Sequence, residues 1–306
     1  MRAIAAFIMR GRLQAIVAAA GLGLVGGLLF PPAWLLSGGV VGLVTLAQGP
    51  REGMLNAFAA TTLVVLLSVL VMQPVLQAAA IFMLLWLPIV WVLSIVLYQT
   101  RSLAMTLLVN ALLAGAIVLT AYVLLDDPAQ WWYSQTEQLL PVMKQAGMDI
   151  PDEAAFKANM QEASQIMTGT LAAFVSLGLA LTILIGRWWQ SVVTRPGAFG
   201  EEYRNLRLGS TAAVIATLLV LPAWITTGGI GEMATNLLLV AVVLFLFQGL
   251  ALGHAAVKQF GNNQAWLVMM YVVMVFTMPY GLLLAAVLGV LDNWFDFRAR
   301  FRNIAR

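Results

Sequence analysis

The sequence predicts an all-α fold: a polytopic helical membrane protein of eight to ten membrane segments, built from helical hairpins. Three observations predict it. Of the 306 residues, 62% are hydrophobic and only 9% are charged, whereas a soluble domain carries about a quarter charged residues. The charges also fall in blocks. None lies between Arg12 and Arg51, Glu52 and Arg101, Arg101 and Asp126, Glu162 and Arg187, Arg207 and Glu232, Glu232 and Lys258, or Lys258 and Asp292. As helix, each gap is long enough to cross a hydrocarbon core about 30 Å thick. Finally, the last apolar run closes on Asp292-Asn293-Trp294-Phe295-Asp296-Phe297-Arg298-Ala299-Arg300. An aromatic belt followed by arginines is the pattern of a segment leaving lipid on the cytoplasmic side.

Composition excludes several functions. A net charge of +3 and a pI near 9.4 could suit nucleic acid, but the basic residues flank apolar runs and form no patch on a soluble fold. The absence of cysteine removes disulfides, thiolate catalysis and cysteine metal sites. One histidine, His254, without cysteine or a paired carboxylate is no metal-ligand set. There is neither a GxSxG elbow nor a Walker A sequence. The sequence therefore predicts no catalytic residue, no metal, no cofactor, and no ATPase of its own. At the start, Arg2, Arg10 and Arg12 precede an apolar run. Too few apolar residues lie before Ala18-Ala19-Ala20 for a signal peptide, so this run reads as a retained first helix.

Three regions follow. Residues 1–125 hold the N-terminal membrane helices. Leu13–Phe30 stops at Pro31-Pro32, and Trp34–Leu46 returns to Arg51. Gly23/Gly27 and Gly38/Gly42 give both helices a flat face for close packing. Met54–Met72 and Val75–Gln99 form a second hairpin around Gln73-Pro74, and Ser102–Leu125 leads outward. Residues 126–163 form an acidic outer loop in which seven acids against two lysines leave −5. Two short surface helices are expected there, one starting near Pro151, with Trp131-Trp132-Tyr133 at the interface. They form either a lid or a solvated connection.

Residues 164–306 hold the C-terminal membrane helices. Ser164–Gly186 crosses inward to the cytoplasmic loop 187–209, Thr211–Thr226 goes out, and Ala234–Val257 returns to Lys258. Beyond the turn Gly261-Asn262-Asn263-Gln264, a single last helix would leave the basic C-terminus outside. A break at Pro279-Tyr280-Gly281 restores cytoplasmic N- and C-termini.

The apolar spans contain no charge, which argues against an ion-driven pump. Asn56, Thr61, Thr62, Gln77, Ser94, Asn110, Gln248 and Thr277 could line a neutral ligand site; Asn56, Asn110 and Gln248 are the candidates for ligand contact. The plainer role for such amides is bonding to backbone or to neighbouring helices. Gly249-Leu250-Ala251-Leu252-Gly253 should be gripped by a neighbouring helix, leaving His254 and Lys258 at a cytoplasmic contact. The loop Arg195–Arg207 is more specified than topology demands. Arg195, Phe199, Glu201, Glu202, Tyr203, Arg204 and Arg207 suit partner docking through aromatic anchors and charge-assisted bonds. Equally, the loop could satisfy itself through its own ion pairs, with Glu201 and Glu202 offsetting Arg204 and Arg207.

Arg187-Trp188-Trp189-Gln190, the run Arg195–Gly209, Gly249–His254 and Leu291–Arg300 together resemble the YybS-like family of bacterial integral membrane proteins, whose shared domain has no assigned function. Gly42–Gly53 is similar to the early helices of substrate-binding S components of energy-coupling-factor transporters. Ala15 and Ala19 resemble the AxxxA face that those components offer to a membrane partner. This resemblance implies a bacterial inner-membrane location and an S-component-like core that binds a small molecule. It also implies possible ATPase and transmembrane coupling subunits beside the lipid bilayer, and a homo-oligomer remains open. The other reading is a membrane scaffold or regulator that recruits a partner through loop 187–209. The topology makes a direct prediction. An Arg306→Cys variant of this cysteine-free chain should be labelled by an impermeant thiol reagent only from the cytoplasmic side. Labelling from outside would mean an unbroken last helix.

Overall fold

The computed structural model describes residues 2–148, 150, 152–261 and 263–304, without the side chains of 302–304. Asp149 of the acidic loop, Pro151 at the expected helix start, Asn262 of the polar turn and Arg306 at the labelling position lie outside the described residues. The described chain is all-helical, 87% helix with no strand. Five helices are long and apolar enough to cross a membrane, and five shorter ones of 10–17 residues are also apolar. A lipid environment favours this economy of types, because a helix satisfies its backbone donors and acceptors within itself.

The chain divides into two compact units, Met1–Asn110 with Leu177–Leu206, and Ala111–Ser176 with Arg207–Arg306. The first unit contains α1 (Arg2–Ile8), α2 (Arg12–Leu28), α3 (Ala33–Gln48), α4 (Pro50–Val71) and α5 (Pro74–Thr100). It also takes the start of α6 (Leu103–Leu124), the end of α9 (Glu153–Thr194) and α10 (Ala198–Arg204). Proline sets several boundaries: Pro31-Pro32 separate α2 from α3, and Pro50 and Pro74 open α4 and α5, where a missing N–H costs nothing.

Within this unit the helices meet at small residues. The Trp34 indole N–H donates to the Gly23 carbonyl at 2.9 Å, and the Ser37 hydroxyl donates to the Ala19 carbonyl at 2.7 Å. Those bonds tie α2 to α3 and bury Ala15 and Ala19. Both alanines of the AxxxA face are thus buried within the chain itself, Ala19 against α3. Against α9, α3 comes closer still. A Cβ added to Gly186 would lie 3.1 Å from the Gly42 Cα and 3.2 Å from the Gly39 carbonyl oxygen.

The second unit holds the rest of α6 and α9, with α7 (Pro128–Glu137), α8 (Leu139–Gln145), α11 (Ser210–Ile225), α12 (Gly229–Gln259), α13 (Ala265–Phe276), α14 (Tyr280–Phe295) and α15 (Phe297–Ile304). The acidic segment holds two short helices, α7 and α8, both ahead of Pro151, and the short surface helix expected to start near Pro151 is not a separate piece. Residues from Glu153 onward run unbroken into the span as a helix of 42 residues. No proline interrupts Glu153–Thr194, so nothing in the backbone requires a stop.

The last apolar stretch is broken between Phe276 and Tyr280, as Pro279 suggested. At 1.5 Å per residue, the 12 residues of α13 and 16 of α14 make rods of about 18 and 24 Å, each short of a 30 Å core. Gly253 of α12 faces Met270 of α13, and Phe260, just past α12, lies 5.5 Å from Phe301 of α15 between ring centroids. Both ends of the α13–α14 pair therefore return to the C-terminal end of α12.

The close approaches are testable. Gly186→Leu should lower the unfolding midpoint of the detergent-solubilised protein, because overpacking a tight contact costs about 1–3 kcal/mol. Gly21→Leu, whose added Cβ meets nothing within 4 Å, should leave the midpoint unchanged. Equal midpoints for the two variants would show that the α3–α9 approach is not limiting.

Candidate functional site

The second unit carries a groove of about 870 Å³ between α12 and the α13–α14 pair, closed at one end by α15. Its shape follows from residue size. Where α12 crosses α14, a Cβ at Gly249 would overlap the Ala285 carbonyl, and one at Gly289 would overlap the Phe245 carbonyl. These two helices therefore touch along their backbones. On α13 the residues facing α12 are Trp266, Met270, Val273 and Met274, too bulky for the same approach, and space opens between them. The walls are mainly carbon and sulfur, with Trp266, Thr277 and Tyr280 the polar side chains among them and Phe297 and Phe301 at the α15 end. The Thr277 hydroxyl on the wall already donates to the Val273 carbonyl at 2.8 Å. Flexible methionines suit a wall that adapts to its contents.

Beside the groove lies a buried polar knot. Asp292, in the last turn of α14, is fully buried and forms an ion pair with Arg298 of α15. Asp296 makes this possible. It caps α14 in the left-handed conformation, φ 42°, which an aspartate tolerates better than most residues, and the chain folds back so that Arg298 reaches Asp292. Asp296 itself pairs with Arg207. Gln248 completes the knot: its carbonyl oxygen accepts from the Leu208 N–H at 2.9 Å, and its amide donates to Asp292 at 3.3 Å. Burial pulls the Arg298 guanidinium below its ordinary value, while the charge of Asp292 opposes that shift.

The remaining expected residues are placed as follows. Gln248 is at 0% exposure and belongs to the knot rather than to the walls of the groove. Asn56 is buried in the first unit, and neither end of its amide has a partner among the described residues. It borders a void of about 20 Å³, room for one water. Asn110 is buried in the same unit. His254 hydrogen-bonds the Tyr271 hydroxyl of α13 at 2.8 Å, and Lys258 is exposed at the end of α12.

In loop 187–209, Arg195 and Glu201 are exposed while Phe199, Glu202 and Arg204 are half-buried. Tyr203 is buried and stacks on Phe199, ring centroids 5.8 Å apart. The Ser191 hydroxyl accepts from the Phe199 N–H and donates to the Arg195 carbonyl, both at 3.0 Å. The ion pairing differs from the expected one. Glu202 pairs with Arg187 at 2.7 Å, and Arg207 pairs with Asp296. Short α10 turns Glu202 back toward α9, which a reading of nearest neighbours in sequence misses.

Two further residues escaped the sequence reading. Asp292 read as part of an interfacial belt; the signal available was an acid in the last turn of an apolar helix with an arginine six positions on. Asn236 of α12 is wholly buried. Its carbonyl oxygen accepts from the Gly169 N–H, and its amide donates to the Gln165 carbonyl at 2.7 Å and the Tyr122 hydroxyl at 3.1 Å. It thus bridges donor and acceptor of one turn of α9. Among the described residues no three His, Asp or Glu side chains converge as a metal site would require.

No protein-family model matches the chain, and no curated protein or solved structure matches it.

The knot predicts a coupled pair. Arg298→Met should be strongly destabilising, because a buried carboxylate without its partner costs about 3–5 kcal/mol. The double variant Asp292→Asn/Arg298→Met should recover most of the loss in a thermal melt. Additive losses would show that the two side chains are not coupled.

Proposed function

We propose that this chain is a bacterial inner-membrane protein that holds a small amphiphilic molecule in the groove between α12 and α13–α14. It acts as the ligand-binding component of a transport system whose energy comes from separate subunits. The observation that carries this reading is the groove itself. At about 870 Å³, it falls within the roughly 300–1,000 Å³ typical of small-molecule sites. Its walls, mainly carbon and sulfur with few polar side chains, fit an apolar body better than a sugar, nucleotide or amino acid.

The lack of a Walker A sequence supports a passive component. So do the motif resemblances to YybS-like proteins and, more distantly, to S components, while the arginine flanks and the break at Pro279 favour cytoplasmic placement of both termini. A second reading, a scaffold that recruits a partner, draws on the exposed Arg195 and Glu201 of an ordered loop. The self-contained pairing of Glu202 with Arg187 and the burial of Tyr203 weigh against it.

Native mass spectrometry on protein gently extracted from its own host's membranes tests the proposal. A retained amphiphile is expected, and Met270→Trp, which fills the groove, should abolish its retention. Co-extraction of an ATPase pair with a coupling subunit would supply the energy source. A chain without ligand, unaffected by Met270→Trp and joined to a soluble protein, would overturn the transport reading in favour of the scaffold.

A further inference from the structure

Charge is distributed unevenly around the groove. Among the described side chains, four cations belong to the α12 and α15 end of the second unit: Arg207, Lys258, Arg298 and Arg300. Arg298 is paired with Asp292, and Arg207 with Asp296. Lys258 and Arg300 have no carboxylate partner among the described residues, and both are exposed. Each adjoins wall residues along the chain. Lys258 follows Val257, and Arg300 lies between Phe297 and Phe301, all three of them wall residues. The Arg300 guanidinium rests 5.6 Å from the centroid of the Phe295 ring, within cation–π range. An apolar slot thus ends at two uncompensated positive charges.

We propose that the molecule held in this groove is an anionic phospholipid of the surrounding bilayer, its acyl portion lying along Met270, Met274 and Leu284 and its phosphate held by Lys258 and Arg300. The inference rests on the groove being a ligand site and adds the class of ligand. Two arguments favour a lipid over a soluble anion. The walls are chiefly apolar, their polar side chains being Trp266, Tyr280 and Thr277, whose hydroxyl is already bonded to Val273, so most of the binding energy must come from apolar area. The charges sit only at the end of the groove, as an amphiphile with one charged head requires. The same arrangement selects among lipids. A zwitterionic head carries its own cation and gains little from a second pair. An anionic head gains about fivefold in binding for each Lys or Arg near it, from an attraction of about 1 kcal/mol apiece.

Full-length protein in nanodiscs of equal phosphatidylglycerol and phosphatidylcholine provides the test, with retained lipids counted by native mass spectrometry after release. Phosphatidylglycerol should be enriched over phosphatidylcholine, up to about twenty-five-fold if both cations act independently. Lys258→Gln/Arg300→Gln should bring the ratio close to that of the bilayer while leaving total retained lipid unchanged. Raising ionic strength should reduce the enrichment, since exposed charges are screened. Arg10→Gln, a cation of the other unit, should change neither quantity.

A bilayer-like ratio in the unaltered protein would overturn the proposal, as would enrichment that survives the double substitution. Displacement of phosphatidylglycerol by inorganic phosphate would instead identify a headgroup-sized anion site and also overturn it. Met270→Trp separates the two levels of the argument. Lost retention of all lipid with an unaltered double-variant ratio would keep the groove and reject the headgroup assignment. Unchanged retention would reject the groove itself.

Discussion

The approach of helix backbones at glycine is the constraint on which both units depend. Hydrocarbon offers apolar side chains no advantage over lipid tails, so association relies on close packing and on the hydrogen bonds that closeness permits. In the first unit α3 and α9 meet at Gly39, Gly42 and Gly186; in the second, α12 and α14 meet at Gly249 and Gly289. The second contact has a further consequence. With α14 drawn against α12 and α13 carrying Trp266, Met270 and Met274 toward the same helix, the three cannot close together. The groove is what remains when one neighbour is small and the other large.

Buried polar groups then fix how the closely packed helices are registered. A lone amide in an apolar interior is costly unless its donors and acceptors are met. Asn236 meets them on α9 and on Tyr122, and Gln248 on Leu208 and Asp292. Each pairing holds only in one register, so sliding α12 by a turn would strand several groups at once. The ion pair of Asp292 and Arg298 works the same way on α15, holding a short helix that has little propensity to persist alone. Its value lies in orientation more than in stability, since a well-packed apolar pair could be as stable.

Much of this was legible in the sequence, because lipid leaves few structural options. Charge-free gaps marked the apolar helices, and Pro31-Pro32, Pro74 and Pro279 marked helix boundaries that the structure respects. What depended on distant contacts was not legible. Glu202 has arginines two and five positions ahead, yet it bonds Arg187, because α10 folds back on α9. Ala15 and Ala19 form a small-residue face whichever helix lies against it, and only the Ser37 bond to the Ala19 carbonyl shows that α3 does. Asp292 looks interfacial until the left-handed turn at Asp296 brings Arg298 back to it.

That turn also explains why a topology signal and the end of the groove coincide. Aromatic residues followed by arginines are what any helix leaving lipid on the cytoplasmic side would carry, and topology alone is indifferent to their spacing. Here Phe297 and Phe301 stand four residues apart on one helical face and close the end of the groove, while Arg298 is drawn into the knot on Asp292. Arg300 is left outside, over Phe295. Had α14 continued straight, the same residues would have flanked the bilayer as an ordinary basic tail. A reversal at one aspartate sorts them into wall, anchor and free charge, and so turns an orientation signal into the charged end of an apolar slot.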